Sequence, residues 1–168
     1  MVSTDEFRLI VDLSHPHGRS VNDGIPDAAA SVSYCSLDSV LQELERRVAG
    51  TLLSKVDFKR AYRQVPVAPE DRRLLGLRFK GQFYVDLMLP FGGRSCAAIF
   101  NAVADVACFA FQEAAPSSGV FHYLDDFILL SGSKCQAEAD KDFSQVLQTA
   151  AALGIPLSER KSFPLARR

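Results

Sequence analysis

The chain has 168 residues, 48% of them hydrophobic, which is long enough and apolar enough for one domain with a sizeable core. Its net charge of −1 lacks the basic excess common in nucleic-acid-binding proteins, and this balance neither supports nor excludes such a partner. The four cysteines have no metal-ligand or redox spacing, and the sequence shows neither a secretory signal nor an apolar run of membrane-spanning length. These properties predict a soluble intracellular protein of the cytoplasm or nucleus, with no membrane partner.

The first half of the chain alternates short regular elements with loops. Its pattern predicts a strand over residues 7–13, a Gly- and Pro-rich loop to about residue 30, and a helix from residue 36 or 37 to residue 48, ended by Gly50. An apolar run of strand length over residues 52–56 leads directly into Asp57. Residues 78–87 then alternate and turn at Gly81, which indicates a β-hairpin.

The second half is dominated by longer elements. From about residue 94 to residue 113 the chain is rich in Ala, Phe and Val with no Pro or Gly, which predicts a long, mostly buried helix. Two strands flank Asp125 and Asp126, and a helix near residues 134–153 is closed by Gly154. The elements do not follow a doubly wound order, so we expect an α+β fold with an antiparallel sheet.

Two adjacent carboxylates lie in the tetrad Tyr123-Leu124-Asp125-Asp126, between two apolar runs. The pattern predicts a tight hairpin of buried strands with both carboxylates at its tip. Ionised Asp side chains held together beside apolar strands repel each other and lose hydration, so such a pair is usually neutralised by a bound cation. Oxygen ligands favour Mg²⁺.

Asp57 offers a third carboxylate in a comparable setting. It stands at a strand end, before a segment that breaks the apolar pattern and carries Lys59 and Arg60. Three carboxylates carry about three negative charges and two Mg²⁺ ions about four positive ones, which leaves a small surplus for a triphosphate and a developing oxyanion. The sequence therefore predicts that Asp57, Asp125 and Asp126 bind metal for in-line phosphoryl transfer.

Several motifs, in their order along the chain, resemble those of the reverse transcriptases, and the resemblance runs from near Phe7 to near Lys161. The matching segments are a fingers motif over residues 7–12, a first palm motif over 54–62, a motif under the incoming nucleotide over 89–100, the tetrad at 123–126, and a later palm motif over 153–161 that carries a lysine. Singly these motifs are weak signals, but together and in order they are strong.

The resemblance implies a reverse-transcriptase fingers and palm, with an antiparallel palm sheet backed by helices. It implies a single domain over residues 1–168, with fingers-like segments at about 1–50 and 66–88 and palm-like segments at about 51–65 and 89–168. The sequence stops soon after the lysine motif, so we expect the thumb, RNase H and recombinase regions of such an element to be absent. The basic residues between positions 46 and 80 are expected along the path of template and triphosphate, although a solvated face is the alternative for several of them.

The resemblance also implies roles for individual residues. Arg8, Tyr62, Phe91, Gly92 and Lys161 would bind the nucleotide, and Tyr123 would face the primer terminus. The Tyr62 ring would block a 2′-hydroxyl and so favour deoxynucleotides, the alternative being a core aromatic. Gly92 is expected because a side chain there would crowd the template or nucleotide. Asp57, Asp125 and Asp126 would be catalytic through two Mg²⁺ ions, with Mn²⁺ as a substitute, and Asp126 is the less certain ligand.

The implied activity is RNA-directed DNA polymerisation on an RNA or DNA template with a primer and deoxynucleoside triphosphates. Segments near residues 20–25, 69–76 and 100–105 look most like retrotransposons of the DIRS-like group, which use a tyrosine recombinase, with the gypsy-like elements second. Phe91 stands where retroviral enzymes carry glutamine, and Cys96-Ala97 replaces a small residue followed by proline. The Cys96-Ala97 replacement, the atypical Gly93-Arg94 and the stop soon after the lysine motif leave one alternative open, a catalytically silent or truncated retroelement remnant that folds as a palm and binds nucleic acid or a protein.

Overall fold

The structure is a computed structural model that describes residues 9–165, and it divides the chain into two compact units. The first unit takes residues up to Val32 together with Tyr62–Phe100, and the second takes Ser33–Ala61 together with the residues from Asn101 onward. The two units do not coincide with the expected fingers-like and palm-like segments. They differ from them at residues 33–50, 62–65 and 89–100. The assignment of those segments to fingers and palm stays a prediction.

Within residues 9–165 the regular elements follow one another as α1 (Leu37–Arg46), β1 (Leu53–Asp57), β2 (Gly76–Phe79), β3 (Gln82–Val85), α2 (Cys96–Ala114), β4 (Gly119–Tyr123), β5 (Asp126–Leu130), α3 (Gln136–Ala152) and β6 (Phe163–Leu165). The α+β class predicted from the sequence is confirmed. Each predicted helix and the two predicted hairpins lie within a few residues of their expected positions. The strand expected over residues 7–13 is wrong in its described part, where Ile10 forms only an isolated bridge to Phe91.

The second unit is built on a four-stranded antiparallel sheet in the order β4-β5-β1-β6. The central strands β1 and β5 bury Val56, Phe127 and Leu130 completely. Helix α2 packs against this sheet, since the ring of Phe111 in α2 lies 5.3 Å from the ring of Phe127 in β5. Strand β6 was not predicted, because Pro164 at its centre is tolerated only on a sheet edge, where its missing N–H is not needed.

Local sequence explains where the helices of this unit begin and end. The Ser36 hydroxyl caps α1 by accepting a hydrogen bond from the Ser39 N–H at 3.1 Å. Helix α3 is closed by Gly154, whose φ of +70° is the left-handed conformation favoured after a helix end. The predicted end at Gly154 is therefore confirmed, whereas α1 ends at Arg46 rather than at residue 48.

The first unit holds a small core and an exposed hairpin. Its buried cluster consists of Val67, Leu89 and Cys96, with Tyr62, Val65 and Leu75 packed against it. Strands β2 and β3 pair antiparallel through a two-residue turn in which Lys80 has φ +49° and Gly81 has φ +80°. Positive φ at both positions is the pattern of a type I′ turn, whose twist matches that of the strands.

Helix α2 is apolar on more than its buried face, so the expectation of a mostly buried helix is wrong. Phe100, Ala104 and Phe111 are fully buried, whereas Val106 and Phe109 are each 68% exposed. The expectation that no apolar run reaches membrane-spanning length is also wrong, because the 19 residues of α2 are long and apolar enough to cross a membrane by length and composition. A single helix of this kind is weak evidence for a membrane span, since the core helix of a soluble protein can have the same length and composition.

Candidate active site

The carboxylate tetrad forms the turn between β4 and β5. Tyr123 pairs with Asp126 at the end of the hairpin, so Leu124 and Asp125 make a two-residue loop. Leu124 has φ +52°, a left-handed conformation that costs a residue with a side chain about 1 kcal/mol. The carbonyl oxygen of Asp125 accepts a hydrogen bond from the Phe58 N–H at 3.0 Å, which ties this turn to the end of β1.

Strand register brings two of the predicted carboxylates together. Asp57 at the end of β1 lies directly opposite Asp126 at the start of β5. The side chain of Asp57 is only 4% exposed, whereas that of Asp126 is 49% exposed. The pair is therefore open to solvent from the Asp126 side.

Each carboxylate of the pair contacts one lysine. The Lys161 ammonium donates to Asp57 Oδ2 at 3.1 Å, and the Lys55 ammonium lies 2.8 Å from Asp126 Oδ1. Asp57 is further fixed through its backbone, since its N–H donates to the Ser162 hydroxyl and its carbonyl oxygen accepts from the Ser158 N–H. The structure thus places Lys161, which the resemblance assigned to the nucleotide, on the side chain of Asp57.

The two carboxyl groups have opposite pKa shifts. Burial raises the pKa of Asp57 above its ordinary value, and the hydrogen bond to Asp126 adds to this, although Lys161 opposes both. Burial also works to raise the pKa of Asp126, but Lys55 and the hydrogen bond from Asp57 outweigh it and lower that pKa. The Asp57 carboxyl is therefore the weaker acid of the pair.

The donor set suits a hard divalent cation in its chemistry, because Asp57 and Asp126 offer only carboxylate oxygens. The structure does not gather all three predicted ligands. Within residues 9–165 no group of three or more His, Cys, Asp or Glu side chains is placed to hold a metal ion. Asp57 and Asp126 form the pair, whereas Asp125 is connected to β1 through its backbone carbonyl.

An exposed aromatic pair stands beside the tetrad. The rings of Tyr123 and Tyr34 lie 4.8 Å apart with their planes tilted by 32°. Tyr123 is 56% exposed and Tyr34 is 40% exposed, so neither ring belongs to the core. Tyr34 precedes α1 and carried no sequence signal, since a lone aromatic in a loop gives no indication of its partner.

In the first unit, Gly92 is held against the chain's own backbone. It has φ +107°, and a Cβ at this position would lie 2.3 Å from the carbonyl oxygen of Val11. Phe91, the preceding residue, accepts a hydrogen bond from the Val11 N–H at 3.3 Å. The requirement for glycine therefore has a cause within the fold, in addition to the expected crowding of a template or nucleotide.

A family model for the reverse transcriptases, RNA-dependent DNA polymerases, matches residues 6–166. The chain belongs to the reverse transcriptase family. No match was found among curated proteins.

Solved structures of foamy viral reverse transcriptases have the same fold. A foamy viral protease-reverse transcriptase in complex with double-stranded DNA matches with a TM-score of 0.69 and 21% identity, over 95% of this chain and 25% of that chain. The same kind of protein in complex with an RNA/DNA hybrid matches with a TM-score of 0.58 and 21% identity, over 71% and 15%. The native protease-reverse transcriptase of prototype foamy virus matches with a TM-score of 0.64 and 22% identity, over 87% and 18%. This reverse transcriptase domain thus spans about a quarter or less of these proteins.

The remaining predicted residues of the reverse transcriptase domain lie in the first unit or outside the described part. Arg8 lies outside the described residues. The Tyr62 ring lies 5.5 Å from the ring of Phe91 and 5.4 Å from that of Phe100, and it packs against the core of the first unit. Tyr62 therefore has the core packing that the alternative predicted. A contact of its ring with the sugar of a nucleotide stays a prediction.

Several of the grouped basic residues have structural partners. Arg47 binds Glu43 at 2.9 Å and donates to the Ser117 carbonyl oxygen at 3.1 Å, which joins the end of α1 to the start of β4. Arg63 donates to Asp86 at 2.7 Å and to the Met88 carbonyl oxygen at 3.2 Å. These two side chains stabilise the fold, and the path of the template along the basic group stays a prediction.

Asn22, which is not among the predicted site residues, anchors the start of the motif over residues 89–100. Its side-chain oxygen accepts from the Arg94 N–H at 2.8 Å, and its side-chain nitrogen donates to the Gly92 carbonyl oxygen at 2.9 Å and to the Ser14 hydroxyl at 2.8 Å. The Arg94 guanidinium also contacts the carboxylate of Asp27. The only sequence signal was the position of Asn22 within one of the family-like segments.

Proposed function

We propose that this chain is the fingers-and-palm part of an RNA-directed DNA polymerase, which extends a primer on an RNA or DNA template with deoxynucleoside triphosphates. The observation that carries the proposal is the register pairing of Asp57 with Asp126 beside the tight turn of the tetrad. Buried or half-buried carboxylates at adjacent strand ends are a costly arrangement unless they serve a cation. Family membership over residues 6–166 supports the same reaction class.

The carboxylates and the two lysines of the site have different roles in the proposed phosphoryl transfer. Asp57 and Asp126 would hold the divalent ions, and Asp125, in the same turn, would supply the third carboxylate. When bound, two Mg²⁺ ions, or Mn²⁺ in their place, lower the pKa of the primer 3′-hydroxyl and neutralise the triphosphate and the leaving pyrophosphate. Lys161 and Lys55 balance the charge of the carboxylate pair, and Lys161 moves to the triphosphate when the nucleotide arrives.

Other side chains position the substrates. Arg8 and Lys161 bind the triphosphate, since a guanidinium grips phosphate oxygens through paired hydrogen bonds and an ammonium acts as a point charge. The nucleotide lies over Phe91 and Gly92, and the Tyr62 ring discriminates against a 2′-hydroxyl. Tyr123, supported by the ring of Tyr34 at 4.8 Å, contacts the primer terminus.

We infer that the chain is part of a retrotransposon polyprotein. The DIRS-like group is the first candidate for its lineage, and the gypsy-like group is the second. Phe91 and the family-like segments near residues 20–25, 69–76 and 100–105 support this lineage. Retrotransposon replication places the protein inside the cell, in the cytoplasm or nucleus. The four cysteines, all within the described residues and all free thiols, are compatible with a reducing compartment.

Primer extension on a poly(rA)/oligo(dT) substrate with Mg²⁺ tests the proposal. We expect extension by the wild type, its loss in Asp57→Asn and Asp126→Asn, and its retention in the control Asp140→Asn, which removes an exposed carboxylate of α3. If the wild type binds template and primer but does not extend the primer, the silent remnant becomes the better description. One observation favours that alternative, namely that the described residues do not gather three metal ligands.

A further inference from the structure

The β2–β3 hairpin of the first unit exposes aromatic side chains on both of its faces. In its register, Arg78 lies opposite Phe83 on one face, and Leu77 lies opposite Tyr84 on the other. Phe83 is 82% exposed and Phe79 is 58% exposed. Every residue of β3 is exposed, so this strand contributes nothing to a core. Several exposed aromatic rings on one short hairpin are unusual unless they bind something.

Each of the two most exposed rings of the hairpin lies beside a cationic side chain. The Arg78 guanidinium lies 5.6 Å from the centre of the Phe83 ring, and the Lys80 ammonium lies 5.4 Å from the centre of the Phe79 ring. Residues 76–85 contain no carboxylate. In the part of the chain that the structure describes, neither Arg78 nor Lys80 has an ion-pair partner, and the nearest acid in sequence, Asp86, is bound by Arg63. The hairpin is thus an aromatic surface with uncompensated positive charge.

We propose that the β2–β3 hairpin binds single-stranded nucleic acid, with a base stacked on Phe83 and phosphates beside Arg78 and Lys80. Aromatic rings accept any base, because every base has a π-face, and the adjacent cations neutralise the backbone. A duplex keeps its base faces stacked on each other and cannot use the rings. The identification of the bound strand as the unpaired template rests on the proposed function; the binding itself requires no catalysis.

Fluorescence anisotropy with labelled oligo(dT) of about 20 nucleotides tests the hairpin directly, with a blunt duplex as the second ligand. Phe83→Ala removes a ring that is 82% exposed and should leave the fold intact, which far-UV circular dichroism checks. Lys80→Asn removes a charge while keeping a residue that tolerates the left-handed φ of +49°. The matched controls are Phe109→Ala, a ring that is 68% exposed on α2, and Lys141→Asn, which removes an exposed ammonium of α3.

We expect Phe83→Ala to weaken oligo(dT) binding about tenfold, within the range for the loss of one stacked base. Lys80→Asn should reduce the slope of log affinity against log salt by about 0.7. The two controls should bind as the wild type does, and the blunt duplex should be insensitive to Phe83→Ala. The proposal is overturned if Phe83→Ala binds normally, if Phe109→Ala loses as much affinity, or if Phe83→Ala alters self-association instead of oligonucleotide binding.

The same variants separate this proposal from the proposed function. Asp57→Asn should abolish primer extension and leave oligo(dT) binding unchanged. If the wild type fails to extend a primer, but Phe83→Ala binds oligo(dT) more weakly than the wild type does, the hairpin proposal stands and the polymerase proposal falls. If extension depends on Asp57 while Phe83→Ala binds oligo(dT) normally, the hairpin proposal falls and the polymerase proposal stands.

Discussion

The side-chain amide of Asn22 donates a hydrogen bond to the carbonyl oxygen of Gly92 across 70 residues of sequence. Its oxygen accepts from the N–H of Arg94, so one amide group holds both sides of the turn that opens the nucleotide motif. A loop with these contacts has a defined backbone course without belonging to a strand or helix.

Asn22→Ala should therefore loosen this turn and lower the free energy of unfolding by about 1–2 kcal/mol, the contribution of two or three partly exposed hydrogen bonds. Urea unfolding measures the loss. Hydrogen–deuterium exchange locates it, since the Arg94 amide should exchange faster in Asn22→Ala. Asn22→Asp keeps the acceptor and removes both donors, so the Arg94 amide should stay protected in that variant. Equal exchange at Arg94 in all three proteins would show that the amide does not hold the turn.

Gly92→Ala should be strongly destabilising. The added Cβ would lie 2.3 Å from the Val11 carbonyl oxygen at a φ of +107°, and both the overlap and the backbone conformation are unfavourable. We expect a loss of about 2 kcal/mol or more, observed as a lower melting temperature. Gly24→Ala is the matched control in the same unit, because a Cβ added at Gly24 would have no neighbouring atom within 4 Å, and it should change stability by no more than about 0.5 kcal/mol.

Lys161→Met should cost more stability than Lys55→Met. Lys161 is the ammonium partner of Asp57, whose side chain is 4% exposed, whereas Lys55 pairs with Asp126, whose side chain is 49% exposed and can be hydrated by water instead. Loss of one partner of a buried charge is the expensive case, and we expect a cost of about 2–3 kcal/mol for Lys161→Met.

A double-mutant cycle separates this electrostatic cost from a loss of packing. Asp57→Asn removes the charge that Lys161 compensates, so the combined variant Asp57→Asn/Lys161→Met should be more stable than the sum of the two single effects predicts. Strict additivity in chemical unfolding experiments would rule out a direct interaction between these side chains.

The cysteines should differ in their reactivity toward iodoacetamide at pH 8. Burial raises the pKa of the Cys108 thiol to about 11, and this thiol also donates to the Val120 carbonyl oxygen at 3.5 Å, so it should remain unmodified in the folded protein. Cys135 is exposed and should react first. Peptide mapping by mass spectrometry reports both sites.

The pKa shift of Cys108 also has a consequence for stability. Because the folded state holds the thiol proton more tightly than the unfolded chain, the contribution of this group is complete below pH 9.0 and is lost as the pH rises toward about 11. The protein with Cys108→Ala should lack this part of the alkaline decline, which unfolding experiments across that pH range can detect.

The sequence was sufficient for elements whose signals are local. The β4–β5 hairpin was predicted because two apolar runs flank a polar pair, and the end of α3 because Gly154 follows a helical pattern. The exposure of Phe109 was missed because composition alone cannot distinguish a helix buried all round from one with two apolar faces. The strand expected near Ile10 failed because an apolar segment also needs a partner strand, and Ile10 has only one bridge and is 71% exposed.

The candidate site was predicted in its residue types but not in its pairing. Strand ends at Asp57 and at the tetrad were readable from the sequence, so their proximity was expected. Which carboxylate of the tetrad lies opposite Asp57 depends on strand register and on the two-residue loop at Leu124 and Asp125, and neither is a property of a local pattern. The contacts of Asn22 with Gly92 and Arg94 were likewise invisible, because they join segments about seventy residues apart.

The carboxylate pair exists only in the observed register of β1 and β5, in which Asp57 lies opposite Asp126. Successive residues of a strand point to opposite faces, so a slip of β5 by one position would bring Phe127 opposite Asp57 and turn Asp126 away. The backbone hydrogen bonds of the sheet could re-form after such a slip, but the two acids would be on different sides. A one-residue insertion or deletion in β5 would therefore separate the two carboxylates, while the circular dichroism signal of a folded sheet would persist.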